Sequence, residues 1–157
     1  MRVYRIERER YLHNTLEGVG ASLSSGFRWN PLHTRLVYTA DSRALSMLEV
    51  AVHLDWSEDL PRDRYYVEID IPDDILILKV DIDDLPSDWD AKPPTRVTQS
   101  IGEIFVRQHK AAVLKVPSAI VPFEHNYLIN PIHHDAKRIW VVRSTQMIFD
   151  QRFLFNG

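Results

Sequence analysis

Arg35-Leu36-Val37-Tyr38-Thr39-Ala40-Asp41-Ser42-Arg43-Ala44-Leu45-Ser46-Met47-Leu48-Glu49-Val50-Ala51-Val52-His53-Leu54 changes its period in the middle. Residues 36–39 read as a short strand, with β-branched Val37 and Thr39 beside Leu36 and Tyr38. Residues 42–54 then follow helical spacing, and Asp41 or Ser42 can cap the first turn. At about 100° per residue, Leu45, Leu48, Glu49 and Val52 share one side of that helix. A carboxylate therefore borders the stripe that should face the core.

The same reading extends outward in both directions. Val3-Tyr4-Arg5-Ile6 alternates as a first strand would. Residues 17–31 hold Gly18, Gly20, Gly26, Asn30 and Pro31 and read as a loop or broken hairpin. Downstream, Tyr65-Tyr66-Val67-Glu68-Ile69-Asp70-Ile71 alternates as a half-buried strand, and residues 75–80 form a more continuous apolar run. Residues 83–94 are acidic and proline-rich, which suits a surface loop. A second helix is expected over 95–108 through Val97, Ile101, Ile104 and Phe105. Ala112-Val113-Leu114-Lys115-Val116 reads as a buried strand ended by Pro117 and Ser118. Residues 121–134 look irregular, and strands are expected again at 139–142 and 147–154. With no linker, repeat or low-complexity stretch, this order predicts one mixed α+β domain.

Composition narrows the function classes. The chain has 157 residues, 45% hydrophobic and 26% charged, with a formal net charge of −3. That length fits a single sizeable core. No basic field is present to hold a nucleic-acid backbone, so direct nucleic-acid binding is not expected. The absence of cysteine excludes a disulfide framework and a thiolate zinc site. Met1-Arg2-Val3-Tyr4-Arg5-Ile6-Glu7-Arg8-Glu9-Arg10 is charged throughout and lacks the apolar stretch of a signal peptide. The apolar runs are far shorter than a membrane span. A soluble, cytoplasmic protein without membrane contact is the expectation.

Four polar residues stand in apolar or turn-forming surroundings, and each has two readings. Glu49 needs a cation, several donors or a ligand-lined cleft if it is buried, or it is a helix-edge partner of Arg43 or another surface base. Arg28 follows Gly26 in a loop where backbone can approach a phosphate, or it stacks on Trp29 or another aromatic to hold that loop. Tyr38 stacks on a planar ligand or packs into the core with its hydroxyl satisfied. Ser118, at a strand terminus after Pro117, meets a ligand or stabilises the turn. Elsewhere, His133-His134-Asp135 offers metal-ligand residue types without a placed third element, so a solvated loop and no metal are expected. Asp73-Asp74 and Asp83-Asp84 read as solvated turns, and neither a Gly-x-Gly-x-x-Gly nor a P-loop is present.

The order Arg28-Trp29-Asn30, Tyr38-Thr39-Ala40, a helical Glu49 and Val116-Pro117-Ser118 resembles the RES domain, named for its Arg, Glu and Ser. The resemblance covers nearly the whole chain, so 1–157 is taken as one RES domain. It includes Val3-Tyr4-Arg5-Ile6, Asn130-Pro131-x-His133 and Phe149-Asp150-x-Arg152. Phe27 and His33 depart from it, standing where the family commonly has glycine. The resemblance implies a split β core like that of ADP-ribosyltransferase toxins, and a toxin of a bacterial toxin–antitoxin pair. NAD would be its substrate rather than a cofactor, cleaved at the nicotinamide–ribose bond by hydrolysis or phosphorolysis. It also implies an Xre-type antitoxin partner and a homodimer. Carried over, the catalytic set is Glu49, Arg28, Ser118 and Tyr38. Arg28, Trp29, Asn30, Tyr38 and Ser118 are the substrate-binding set. Arg28 would hold a phosphate, Tyr38 would lie near the nicotinamide and Glu49 would lie by its ribose. Ser118 would orient the ribose or the nicotinamide, with Trp29 and Asn30 as supports. The alternatives are an ADP-ribosyltransferase acting on a host protein, or a non-enzymatic protein-binding module.

Overall fold

Seven strands make one sheet, in the order β4-β5-β6-β2-β1-β3-β7. They are β1 (Arg2–Arg8), β2 (Val37–Ala40), β3 (Arg64–Asp70), β4 (Ile77–Lys79), β5 (Val113–Pro117), β6 (His125–Ile129) and β7 (Trp140–Met147). Three α-helices accompany them: α1 (Val19–Ser22), α2 (Arg43–Ala51) and α3 (Arg96–Gln108). The computed structural model describes residues 1–54 and 60–154. All strand pairs are antiparallel except β4 with β5, which α3 connects.

The sheet is split in its middle. β1 pairs with β3 along its whole length, from Arg2 opposite Asp70 to Arg8 opposite Arg64, and β2 pairs fully with β6. Between β1 and β2 the register holds one pair, Tyr4 opposite Ala40. Beyond Tyr4 the two halves diverge, which leaves the far end of β1 without a neighbour on that side. The expected α+β domain with a split β core is therefore what the chain forms.

Alternation along the strands sorts the core into layers. Val3, Val37, Val67, Ile69, Val113, Tyr127 and Ile129 pack on one side. Leu114, Val116 and Leu128 point to the other, where Trp29, Leu36, Phe105 and Val106 meet them. A third cluster sets Ile6, Met147 and Phe149 against Ala51, with Met47 and Val50 of α2.

The expected elements recur with shifted bounds and several corrections. Ser42, not Asp41, caps α2, accepting the Leu45 N–H at 3.0 Å. α2 ends at Ala51, and its buried residues are Leu45, Ser46 and Ala51, while Val52 lies 45% exposed. The glycine-rich segment contains the short helix α1 rather than only loop. The stretch read as irregular contains β6, a strand bonded on both sides. Its pattern was obscured because His125 and Asn126 open an otherwise apolar run. The two late strands are one, β7, whose middle Arg143-Ser144-Thr145-Gln146 is exposed because it forms the sheet's edge. The tail beyond it makes a 3-10 turn at Gln151–Phe153.

α3 lies where expected but turns a different face inward. Thr98, Gly102, Phe105 and Val106 are buried, whereas Val97 and Ile104 are 51% and 40% exposed. Gly102 explains the choice: a Cβ there would stand 1.6 Å from the Trp29 carbonyl oxygen. The helix thus packs directly on the backbone beside Arg28. Gly102→Ala is expected to force the 28–29 backbone off α3 and to cost about 1–3 kcal/mol, the usual range for overpacking. Chemical denaturation checks it.

Candidate active site

A cleft of about 610 Å³ opens where the two halves of the sheet diverge, within the range typical of small-molecule sites. One wall is the far end of β1, from Tyr4 to Arg8, and another is Tyr38, Thr39 and Ala40 of β2. α2 closes a third side with Ser46, Glu49 and Val50, and the loop through Gly26, Phe27 and Arg28 forms the lip. Among the described residues, Arg5, Arg8, Arg28, Arg64 and Lys92 line this space against two carboxylates, Glu7 and Glu49. Arg5 is tied to Glu7 and Arg64 to Asp63, but Arg8, Arg28 and Lys92 have no ion pair among the described residues. In a chain of net charge −3, this concentrates positive potential in one concavity. An anionic ligand suits it.

Glu49 is held from outside its own helix. Its Oε1 accepts from Ser118 Oγ at 3.0 Å and from Asn126 Nδ2 at 2.6 Å. Ser118 in turn accepts from the Ile120 and Val121 N–H groups, at 3.1 Å each. Its hydroxyl is thus fully occupied, and at 5% exposure it stands behind Glu49 rather than on the cleft wall. Neither donor is a cation, so the reading of Glu49 as an ion-pair partner of Arg43 does not hold. Arg43 instead reaches Glu68 and lies over the Tyr4 and Tyr66 rings.

Arg28 is half-buried, and its Nη1 donates to the carbonyls of Trp89 and Ala91 at 2.8 and 3.1 Å. Its guanidinium lies over the Trp89 ring, 5.9 Å from the centroid, so the aromatic it meets is Trp89 rather than Trp29. Burial lowers its pKa, while Asp90 and then Glu49 raise it, and an arginine so placed stays a cation. One edge of the fork is spent on the 89–91 backbone, leaving the other for a ligand.

Tyr38 serves as a wall and a brace. Its hydroxyl donates to Asn30 Oδ1 at 2.7 Å and accepts the Trp29 N–H at 3.1 Å. Its ring lies 5.1 Å from that of Phe27, so the residue standing where glycine is common narrows the entrance. Burial pushes the Tyr38 pKa well above the ordinary tyrosine range, which keeps the hydroxyl protonated. Two of the expected substrate-binding residues have their side chains turned into the interior. Asn30 is fully buried and spends its amide on the Ala21, Pro31 and Thr34 carbonyls. Trp29, 2% exposed, packs its indole against Trp89. Both shape the Arg28 loop from behind. His33, the second departure, adopts φ 71°, a left-handed conformation that explains why glycine suits the position.

One finding had no counterpart in the sequence reading, and another corrects it. Asn126 belongs to the site, and the available signal was one polar residue on the same strand face as Leu128. His133 is not in a solvated loop: it is 3% exposed, caps the 3-10 turn His134–Arg138 through Nδ1, and faces the His109 carbonyl through Nε2 at 3.1 Å. Ligand atoms of His133, His134 and Asp135 do lie close enough to share an ion. Both His133 ring nitrogens are already engaged.

The RES domain matches residues 2–150 of the chain. A protein named Prs ADP-ribosylating toxin, from Sphingobium sp. (strain YBL2), is 43% identical over 146 residues, covering 92% of this chain and 89% of its own. Toxin Res of Photorhabdus laumondii is 38% identical over 155 residues, covering 98% and 97%. In three dimensions the chain is similar to a protein in the crystal structure of the M. tuberculosis MbcT–MbcA toxin–antitoxin complex. The TM-score is 0.72 at 20% identity, over 93% of this chain and 83% of that one. At that identity the likeness concerns the fold.

The Tyr38 brace yields two expectations. Tyr38→Phe strands a buried N–H and a buried amide oxygen, and should cost about 1–3 kcal/mol in chemical denaturation. Stability from the protonated hydroxyl is complete below about pH 10, the ordinary tyrosine value, and is lost as pH rises toward the raised folded value. In Tyr38→Phe that alkaline decline should be shallower. Tyr127, which burial pushes up to about 12, contributes to the remainder, as do Tyr66 and Tyr65, which burial also raises.

Proposed function

The chain belongs to the RES family, and on that premise we propose that it is a toxin that cleaves the nicotinamide–ribose bond of NAD. The observation that carries this reading is a carboxylate, Glu49, anchored by neutral donors in a cleft where, among the described residues, cations outnumber carboxylates. A dinucleotide brings two phosphates, which the uncompensated charge of Arg8, Arg28 and Lys92 would attract. Cleavage leaves positive character on the ribose carbon, which an adjacent fixed anion stabilises. Nicotinamide departs as a neutral molecule, so the step needs no strong general acid. Among the described residues the other carboxylate of the cleft is Glu7, which is bound to Arg5 and Thr15.

In this reading Arg28 binds phosphate and the Tyr38 ring flanks the nicotinamide. Glu49 stabilises the developing cation, and Ser118 acts through Glu49. Water or phosphate is the proposed acceptor. The name of the Sphingobium relative favours a second reading, in which a protein side chain takes the ADP-ribosyl group. An antitoxin partner is part of the proposal, supported by the toxin–antitoxin complex to which the fold is similar. All three acceptors share the first step, so release of nicotinamide tests the reading. Repeating it with and without phosphate separates hydrolysis from phosphorolysis.

Purified protein is expected to release nicotinamide from NAD, and Glu49→Gln should lower turnover by about a hundredfold with little change in KM. Arg28→Ala should instead raise KM by roughly ten- to a hundredfold, the worth of a charge-assisted contact. An unchanged turnover in folded Glu49→Gln would remove Glu49 from the chemistry.

A further inference from the structure

Asn126 sits in the middle of one half of the sheet, opposite Ala40 of β2 and Val116 of β5. Its strand has a neighbour on each side, and the residue is 8% exposed. Leu128, on the same strand face, is wholly buried among apolar residues. A polar side chain in such a place normally finds partners for all its atoms. Asn126 does not.

Among the described residues its side chain makes one hydrogen bond, to Glu49 at 2.6 Å, and its own Oδ1 is buried without a donor. The orientation is forced, because an ionised carboxylate only accepts and the amide must turn its NH₂ toward it. Satisfying Glu49 therefore orphans Oδ1, at a cost that a purely packing residue would not incur. The two donors reach Glu49 from different elements, Ser118 from the end of β5 and Asn126 from β6. Both meet the same oxygen, Oε1, and Oε2 accepts from no side chain among the described residues. A long, rotatable side chain on α2 is thereby tied to the rigid sheet.

We propose that Asn126 is a positioning residue: with Ser118 it reserves Oε1 of Glu49, so that Oε2 is the oxygen presented to the ligand in the cleft. This rests on the reading of Glu49 as the stabilising anion. The orphaned acceptor marks a site where local stability yields to the geometry of a functional group.

Asn126→Val supplies a strand-compatible apolar side chain and removes both the donor and the orphan. It is expected to melt at or above the wild-type temperature while turnover of NAD to nicotinamide falls ten- to a hundredfold, with KM within about twofold. Asn126→Asp, nearly isosteric, sets a second carboxylate against Glu49 and should lower turnover at least as far. A structural role predicts the opposite pattern, a lower melting temperature with unchanged turnover of folded protein, and that pattern would overturn the proposal. In a Glu49→Gln background, Asn126→Val should add little further loss, and full additivity would count against it.

Two readouts do not depend on NAD. If wild type releases no nicotinamide, the functional reading fails by itself. Growth arrest on expression then serves as the activity, and arrest undiminished in soluble Asn126→Val would overturn the proposal. If wild type does neither, the contact is judged in chemical denaturation by the cycle of Asn126→Val with Glu49→Ala. Non-additive effects support it, and additive effects overturn it.

Discussion

Tyr4 opposite Ala40 is the one registered pair that joins the two halves of the sheet. Had the register continued, Arg5 to Arg8 would lie against β2 and no cleft would separate them. Because it stops, the far end of β1 keeps β3 on one side and faces open space on the other. β2 ends at Ala40, Ser42 caps the next helix, and α2 leaves the sheet at the rim of that gap. Two turns along α2 stands Glu49. The chain needs no long insertion to bring a carboxylate to the opening, since strand end, cap and helix follow without interruption.

Desolvation governs what fills the opening. A carboxylate near apolar surface must be met by donors or a cation. Here the donors are neutral and come from β5 and β6, so the charge of Glu49 is fixed in place without being cancelled. Arg28 is treated similarly, with carbonyl oxygens rather than an acid holding its guanidinium. Opposite charges thus share one cleft while neither neutralises the other in a direct pair. Behind them the Tyr38–Asn30–Trp29 network and the contact of Gly102 with the Trp29 backbone stiffen the loop. The polar residues divide into those that line the cleft and those that hold the ones that do.

Opposing pressures are visible elsewhere in the same residues. The Phe27 and Tyr38 rings meet at a tilt at the entrance, closing apolar surface that a glycine would leave open. His33 accepts a left-handed backbone while its N–H reaches the Ser22 carbonyl at 2.8 Å, linking α1 to the Arg28 loop. Asn126 carries an orphaned acceptor in an otherwise apolar layer. In each case local comfort is given up to fix the shape or charge of the cleft.

Local rules sufficed wherever the signal was local. The period change after Ala40, the Ser42 cap, the alternation of β3 and the apolar run of β5 are properties of neighbouring residues, and the α+β class follows from their order. Arg28, Tyr38 and Glu49 were legible as polar residues in apolar or turn-forming surroundings, and all three line the cleft. Tertiary structure alone decided the rest. β6 hid behind His125 and Asn126 because its pairing partners lie far away in sequence. α3 turned Gly102 inward because another segment's backbone needed the space, which no count of apolar side chains can register. Ser118 and Asn126 meet at one oxygen of Glu49 although 69 and 77 residues separate them from it. Periodicity reports which side of an element is buried, but only the packed chain decides which distant groups arrive there to satisfy a buried charge.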